Sequence, residues 1–295
     1  MIDLHMHSKY SDGDYTVREL IDMLNKYNVL YASISDHNSV DGIVEYIENN
    51  YQKYYNGIMI PGTEIQALVG DYIIEVLVYI SNVYEFKDYV DETRRNFWKF
   101  HHTAYQELLK RAEQMGLKYI EPTRELGNSY YCNMKFQEAI QACMDYNKNI
   151  IDEKILTDHL HFYRSEFQNP ESMFFIDNKK AFPKLEEVLD AASRCKSVVS
   201  LAHIDEYKRI KDKISFLNQL VENYDIDALE CVHPSISAEH EKVYMDFARD
   251  HSLLVSAGSD FHGPHLPHRQ KITTKATMEE VTILKRLLSK DFIIK

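Results

Sequence analysis

The chain has 295 residues, 27% of them charged, and a formal net charge of −12, which argues against a broad basic surface for nucleic acid or an anionic membrane. That length suits one large α/β barrel or two smaller domains, and the few glycines and prolines form no flexible linker. No apolar run approaches the roughly 20 residues that cross a bilayer. Cys132, Cys143, Cys195 and Cys231 show no CxxC spacing, and "IDLHMH" follows Met1 with no room for a leader, so the expectation is a cytoplasmic protein with reduced thiols.

In chain order, the first predicted strand is "IDLH". It opens "LHMHSKYSDGD", where His5 and His7 lie two apart and share one face of an extended chain, with Asp12 in the following turn. "TVRELIDMLNKYN" predicts a helix: Thr16 and Glu19 form a capping box, and Val17, Leu20, Ile21 and Leu24 share a face. Next come a strand "YASISDH", a helix "VDGIVEYIENNYQKYY", a strand "IMIPGTEI" and a fourth strand "YIIEVLVYI". The early alternation implies βαβ units and a parallel sheet.

From Val83 to Lys180 the pattern turns to long polar helices such as "DETRRNFWKFHHTAYQELLKRAEQMG", read as a helical insert contributing to the substrate pocket. The alternation then resumes with helix "KLEEVLDAASRC", strand "SVVSLAH", a helix from Ile214 to Val221, and strand "IDALECVH". Helix "AEHEKVYMDFARDH", strand "LLVSAGSDFH" and a closing helix from Thr277 complete the chain. The expected fold is therefore α/β, a distorted (βα)7 barrel of residues 1–82 and 181–295 with an insert at 83–180.

His5, His7, His37, Glu64, His203, Asp260 and His262 all fall at the carboxyl ends of predicted strands, where α/β barrels assemble active sites. Imidazole with carboxylate suits zinc, iron or manganese, and no thiolate accompanies them. These are too many ligands for one tetrahedral ion, so more than one metal with a bridging carboxylate is expected.

The ordered set "HMH", "SDG", "SDHNS", "PGTEI", "LAHID" and "GSDFHG" resembles the PHP (polymerase and histidinol phosphatase) family, in particular its stand-alone metal-dependent phosphoesterases with a helical insert. The resemblance implies a distorted seven-stranded barrel with up to three divalent transition ions, manganese, iron or zinc. It assigns His5, His7, Glu64 and Asp260 to one ion, Glu64 and His203 to a second, and Asp12, His37 and His262 to a third. The family commonly has a histidine where "EVLVY" places Glu75, so Glu75 is expected as the second ion's remaining ligand. The implied chemistry is attack on phosphorus by a hydroxide bridging two ions, and this makes the site electropositive despite the acidic chain.

The preferred substrate class is a small phosphorylated molecule: a phosphomonoester or short phosphodiester such as a nucleotide, a 3′,5′-bisphosphate or a short oligonucleotide. Long nucleic acid is not expected. Other readings are a histidinol-phosphate phosphatase, an amidohydrolase-like enzyme cleaving C–N or C–O bonds, and a metal-binding accessory module. The amidohydrolase-type barrels usually carry a lysine at a strand end, and Glu64 stands at the strand ends here. Substrate-contact candidates are His233 at the end of "ECVH", His265 and Arg269 after "SDFHG", and Lys135 and Arg164 in the insert; Arg94 and Arg95 are further cations. "YCNMKF" lacks the arginine and histidine of the family's "GRPH"-like stretch, and the tyrosines of "SYYCN" are candidates to stack a base. His159 and His161 repeat the HxH spacing in helical surroundings, where i and i+2 diverge, so both are read as structural or surface residues. Of His101 and His102, one is expected to be exposed, and His240 and His251 read as ordinary helix residues.

Overall fold

The computed structural model describes residues 1–127, 130–272, 274–289 and 292. Ser129 of "SYYCN" lies outside the described residues, as do the last three positions. The chain divides into two compact units, Met1–Glu92 with Pro183–Lys295, and Thr93–Phe182.

In the first unit, β1 (Ile2–Met6), β2 (Tyr31–Ile34) and β3 (Ile58–Met59) form a parallel sheet with Ile2 opposite Tyr31 and Tyr31 opposite Ile58. β4 (Gly62–Val69), β5 (Tyr72–Ile80), β6 (Ser197–Leu201), β7 (Ala228–Val232) and β8 (Leu254–Ala257) form a second sheet in that order. Single bridges, Met6 with Phe261 and His37 with Glu64, link the two. The fold is α/β.

This differs from the expected barrel in two ways. "IMIPGTEI" is two strands because Pro61, which has no N–H to give a ladder, separates β3 from β4. β4 and β5 pair antiparallel, as β5 and β6 do, because only Gly70 and Asp71 join the first pair. Two residues make a hairpin and leave no length for a helical crossover, and Gly70 supplies the left-handed turn conformation at φ 56°. The described residues therefore form two sheets and no closed seven-stranded barrel.

Helices α1 (Val17–Lys26) and α2 (Asp41–Glu48) cover the first sheet's connections. The Thr16/Glu19 capping box is present, and Val17, Leu20, Ile21 and Leu24 are buried in the main core with Met6, Ala32 and Ile34. Burying each of the valine, leucine, isoleucine and methionine side chains contributes about 1.5–3 kcal/mol of hydrophobic stabilisation. The long α3 (Val83–Gln114) leaves this unit and continues into the second, where α4 (Cys132–Gln141), α5 (Met144–Asn147), α6 (Glu153–Thr157) and α7 (His159–Phe162) follow. Leu108, Phe136, Phe162 and Phe174 form that unit's own core. His101 is buried there and His102 is exposed. Back in the first unit, α8 (Leu185–Ser193), α9 (Lys213–Asn223) and α10 (Ala238–Asp250) alternate with β6 to β8. The predicted closing helix is reduced to α11 (Leu284–Leu287), preceded by turns. Among the described residues no helix is long and apolar enough to cross a membrane.

Candidate metal centre

Strand parity aims the side chains. His5 lies on β1 and His7 just past its end, and the parallel bridge of Met6 to Phe261 brings the loop after β8 alongside. In the β4–β5 hairpin Gln66 is opposite Glu75 and Glu64 opposite Leu77, so Glu64 and Glu75 face the same way. Gly258 lets the chain pass against β1, since a Cβ there would meet the His5 Cβ at 2.1 Å. Asp260 adopts the left-handed region at φ 51°, a conformation aspartate tolerates better than most residues, while its N–H donates to the His5 carbonyl at 2.8 Å.

These constraints bring nine predicted residues together. The Oε2 of Glu64 is the hub, 3.2 Å from His5 Nε2, 3.3 Å from His7 Nε2 and 3.1 Å from His37 Nδ1. Its other oxygen is 3.0 Å from His203 Nε2, which is also 3.4 Å from Glu75 Oε2. Asp260 Oδ1 is 3.4 Å from His5 Nε2 and 3.1 Å from His7 Nε2. Asp12 Oδ1 is 3.2 Å from His262 Nε2, and Asp12 Oδ2 is 3.8 Å from His37 Nε2. Four ligand-like sets each have donor atoms within 4.8 Å of one another: His5, His7, Glu64 and Asp260; His7, Asp12, His37 and His262; His37, Glu64 and Glu75; and His5, Glu230 and His233. Most members are fully buried, whereas the side chains of Asp12, His37 and Glu75 are 18–19% exposed and mark the open side.

The donor set fits divalent cations, and the hydrogen-bond accounting says why. A carboxylate only accepts, so His5 Nδ1, 3.0 Å from Glu230 Oε1, carries a ring proton; Nε2, facing Glu64 and Asp260, either holds a second proton, which those carboxylates favour against burial, or in the neutral ring offers a lone pair to a cation. A lone pair facing two carboxylates is repulsive unless a cation lies among them. Likewise His262 Nδ1 donates to the Asp260 carbonyl at 2.8 Å, leaving Nε2 facing Asp12. Buried atoms without a hydrogen-bond partner include His5 Nε2, His7 Nε2, His37 Nδ1, His262 Nε2, Asp12 Oδ1, Glu64 Oε2 and Asp260 Oδ1. Such atoms cost about 1–3 kcal/mol each unless something engages them.

Protonation tells the same story. Burial opposes charge on His7, yet the carboxylates of Asp260 and Glu64 push it up to about 10. Burial likewise disfavours an ionised Glu64, but His5 and His37 hold it well below the usual carboxylate range. For Glu75, burial and then repulsion from Glu64 raise the carboxyl above its ordinary value. A cluster this rich in buried carboxylates calls for positive charge that protons or metal ions supply.

Several supporting residues were not expected from sequence. Glu230 accepts from His5 Nδ1 and, at 2.9 Å, from the His203 backbone N–H, orienting both histidines. Its signal was an acid inside the otherwise apolar strand "ALECV". Asp36 accepts from the Ser8 N–H and hydroxyl and from the Ser11 hydroxyl, each at 2.7 Å, which braces the loop carrying Asp12. Asp3 accepts the Ser259 N–H at 2.9 Å and its hydroxyl at 2.6 Å, with burial raising its carboxyl to about 7 against those bonds.

The expected substrate contacts divide. His233 takes the Ser235 N–H on Nδ1 at 3.0 Å, so its Nε2 donates to Asp260 Oδ2 at 3.3 Å and orients that carboxylate. His265 is exposed and paired with Asp14 at 3.0 Å, tying the Asp12 loop to the His262 loop. Arg269 holds Asp260 Oδ2 at 2.6 Å and Glu206 Oε2 at 2.9 Å. Lys135, buried 3.9 Å from Glu125, and the exposed Arg164 belong to the second unit. His240 lies on α10, as read from sequence, and pairs with Asp205 at 2.6 Å.

A family model described as PHP domain matches residues 3–257. No curated protein matches the chain. Among solved structures, a protein classed as a metal-dependent phosphoesterase from Bifidobacterium adolescentis is similar at a TM-score of 0.66 and 20% identity, over 98% of this chain and 97% of that one. An amidohydrolase from Chromobacterium violaceum, solved with sulfate and no metal, is similar at a TM-score of 0.64 and 18% identity, over 98% and 96% of the two chains. At these identities the structural likeness establishes a shared fold.

Proposed function

The chain belongs to the PHP domain family, and from that premise we propose that it is a metal-dependent hydrolase of phosphate esters, acting on a phosphomonoester or short phosphodiester. The observation that carries the reading is the convergence of unpartnered imidazole and carboxylate atoms around Glu64. His5, His7, Glu64 and Asp260 would hold one divalent ion, His203, Glu75 and Glu64 a second, and Asp12, His37 and His262 a third. Such ions, when bound, acidify water and offset the charge that builds on a phosphoryl group.

The chain's own residues supply position and polarity. Glu230 keeps the His5 proton on Nδ1 and so keeps Nε2 available as a donor atom. His233 and Arg269 fix Asp260 from the other side. Asp12, His37 and Glu75, the partly exposed members, line the side from which an ester would approach. Glu75 standing where the family commonly has histidine puts an oxygen donor in place of a nitrogen and lowers the net positive charge of the loaded centre.

The amidohydrolase reading draws on the Chromobacterium neighbour's description, but the cluster contains no lysine among the described residues, and a phosphate ester better matches a centre of several cations. Purified protein should carry more than one tightly bound transition ion per chain by elemental analysis. A panel of phosphomonoesters, bisphosphates, short oligonucleotides and amides, assayed with manganese, tests the reaction. Activity on amides with silence toward every phosphate ester would reject the proposal.

A further inference from the structure

Arg269 is the one arginine or lysine paired with a carboxylate of the cluster among the described residues. It stands in the loop after β8, and its carbonyl accepts the N–H of His262 at 3.0 Å and of Gly263 at 3.3 Å, so its backbone is fixed to the segment bearing two proposed ligands. One terminal nitrogen lies on Asp260 and the other on Glu206, while Nε is buried with no hydrogen-bond partner. The side chain is only 13% exposed. A guanidinium is a planar fork of several N–H donors, and the two carboxylates take one donor each. A purely structural arginine at such a site would be expected to satisfy Nε as well, because leaving it unpaired costs about 1–3 kcal/mol.

We infer that Arg269 is the anion-binding residue of this centre, contacting an oxygen of a tetrahedral oxyanion, the phosphoryl group of the substrate, through the terminal N–H donors that Asp260 and Glu206 do not use. The inference rests on the phosphoester reading for the class of anion. Arg269 holds Oδ2 of Asp260 and leaves Oδ1, the oxygen facing His5 and His7, for a metal ion, so the guanidinium is a fixed cation beside those ligands, and a planar fork suits an oxyanion with several oxygens better than a neutral amide carbonyl. Glu206 holds the far nitrogen and restricts the fork to one orientation. The sequence placed Arg269 only among several candidate cations; the pairing to Asp260 singles it out.

The test compares manganese-loaded wild type, Arg269→Gln and Arg269→Lys by calorimetric titration with inorganic phosphate, alongside elemental analysis of bound metal. Because Arg269 also holds Asp260, phosphate binding is compared per bound metal ion in all three. Phosphate binding should weaken at least about tenfold in Arg269→Gln and less in Arg269→Lys, which keeps the charge and loses the fork. Three outcomes would overturn the inference: wild type that binds no phosphate, Arg269→Gln that binds it within about twofold of wild type, or phosphate binding lost only in proportion to lost metal. If Arg269→Gln does not fold, Arg269→Lys decides: weaker phosphate binding with metal retained supports the assignment, and unchanged binding rejects it. Because the readout is binding, a wild type that binds phosphate through Arg269 yet hydrolyses no phosphate ester would overturn the proposed reaction and leave this assignment standing.

Discussion

Glu230→Gln isolates the contribution of a residue that touches no proposed ion. Both carboxylate oxygens are in use, one by His5 Nδ1 at 3.0 Å and one by the His203 backbone N–H at 2.9 Å. Glutamine offers one acceptor and one donor. The backbone N–H cannot change its role, so the amide oxygen must serve His203 and the amide NH2 must face His5. His5 then has to accept on Nδ1 and carry its proton on Nε2, the atom directed at Glu64 and Asp260. The lone pair that would bind metal is lost until the ring is forced back. Losses of about 10–100-fold in metal affinity, or about 1.4–2.7 kcal/mol, are expected for such a change. Glu230→Ala instead leaves the His203 N–H unpaired and should cost the metal-free fold about 1–3 kcal/mol. Metal titration followed by calorimetry and urea unfolding of the metal-free proteins separate the two effects. Glu230→Gln protein that binds metal as tightly as wild type would refute the tautomer argument.

Glu75→Ala should lose one of the bound ions by elemental analysis while Glu75→His retains it; equal metal content in wild type and Glu75→Ala would remove Glu75 from the ligand set. Gly258→Ala drives a Cβ to 2.1 Å from the His5 Cβ and should cost about 3 kcal/mol or more, read as a lowered melting temperature or insoluble protein. His101, buried beside Cys132, is pushed down to about 4 by burial and then by the neighbouring His102. Its unfolded form takes a proton near pH 6.5 and its folded form does not, so its stabilisation is complete above pH 6.5 and falls away toward pH 4, by up to about 3 kcal/mol. Urea unfolding of wild type and His101→Phe at pH 7 and pH 5 checks the sign: the variant should lose part of the acid sensitivity, and an identical pH slope would contradict it.

Much of the candidate centre was legible because its chemistry sits at positions that local rules expose. Strand alternation puts His5 and His7 on one side, the capping box starts α1 at Val17, and the acidic and histidine residues recur where apolar strands end. Those features depend on short-range periodicity and on side-chain type, both written in the order of residues. Pairing partners are not. That Glu75 faces the same way as Glu64 follows from the register of an antiparallel hairpin, where the sequence suggested successive parallel strands. Glu230 and Asp36 matter through contacts to residues 225 and 28 positions away, respectively, and Arg269 through its hold on Asp260. No window of sequence contains both partners of such long-range contacts. What the sequence by itself determined was therefore the α/β class and the inventory of metal-binding donors. Only the tertiary structure decided which donors meet, which imidazole nitrogen each presents, and that two sheets joined by single bridges stand where one closed barrel was expected, because these depend on hydrogen-bond partners distant in the chain.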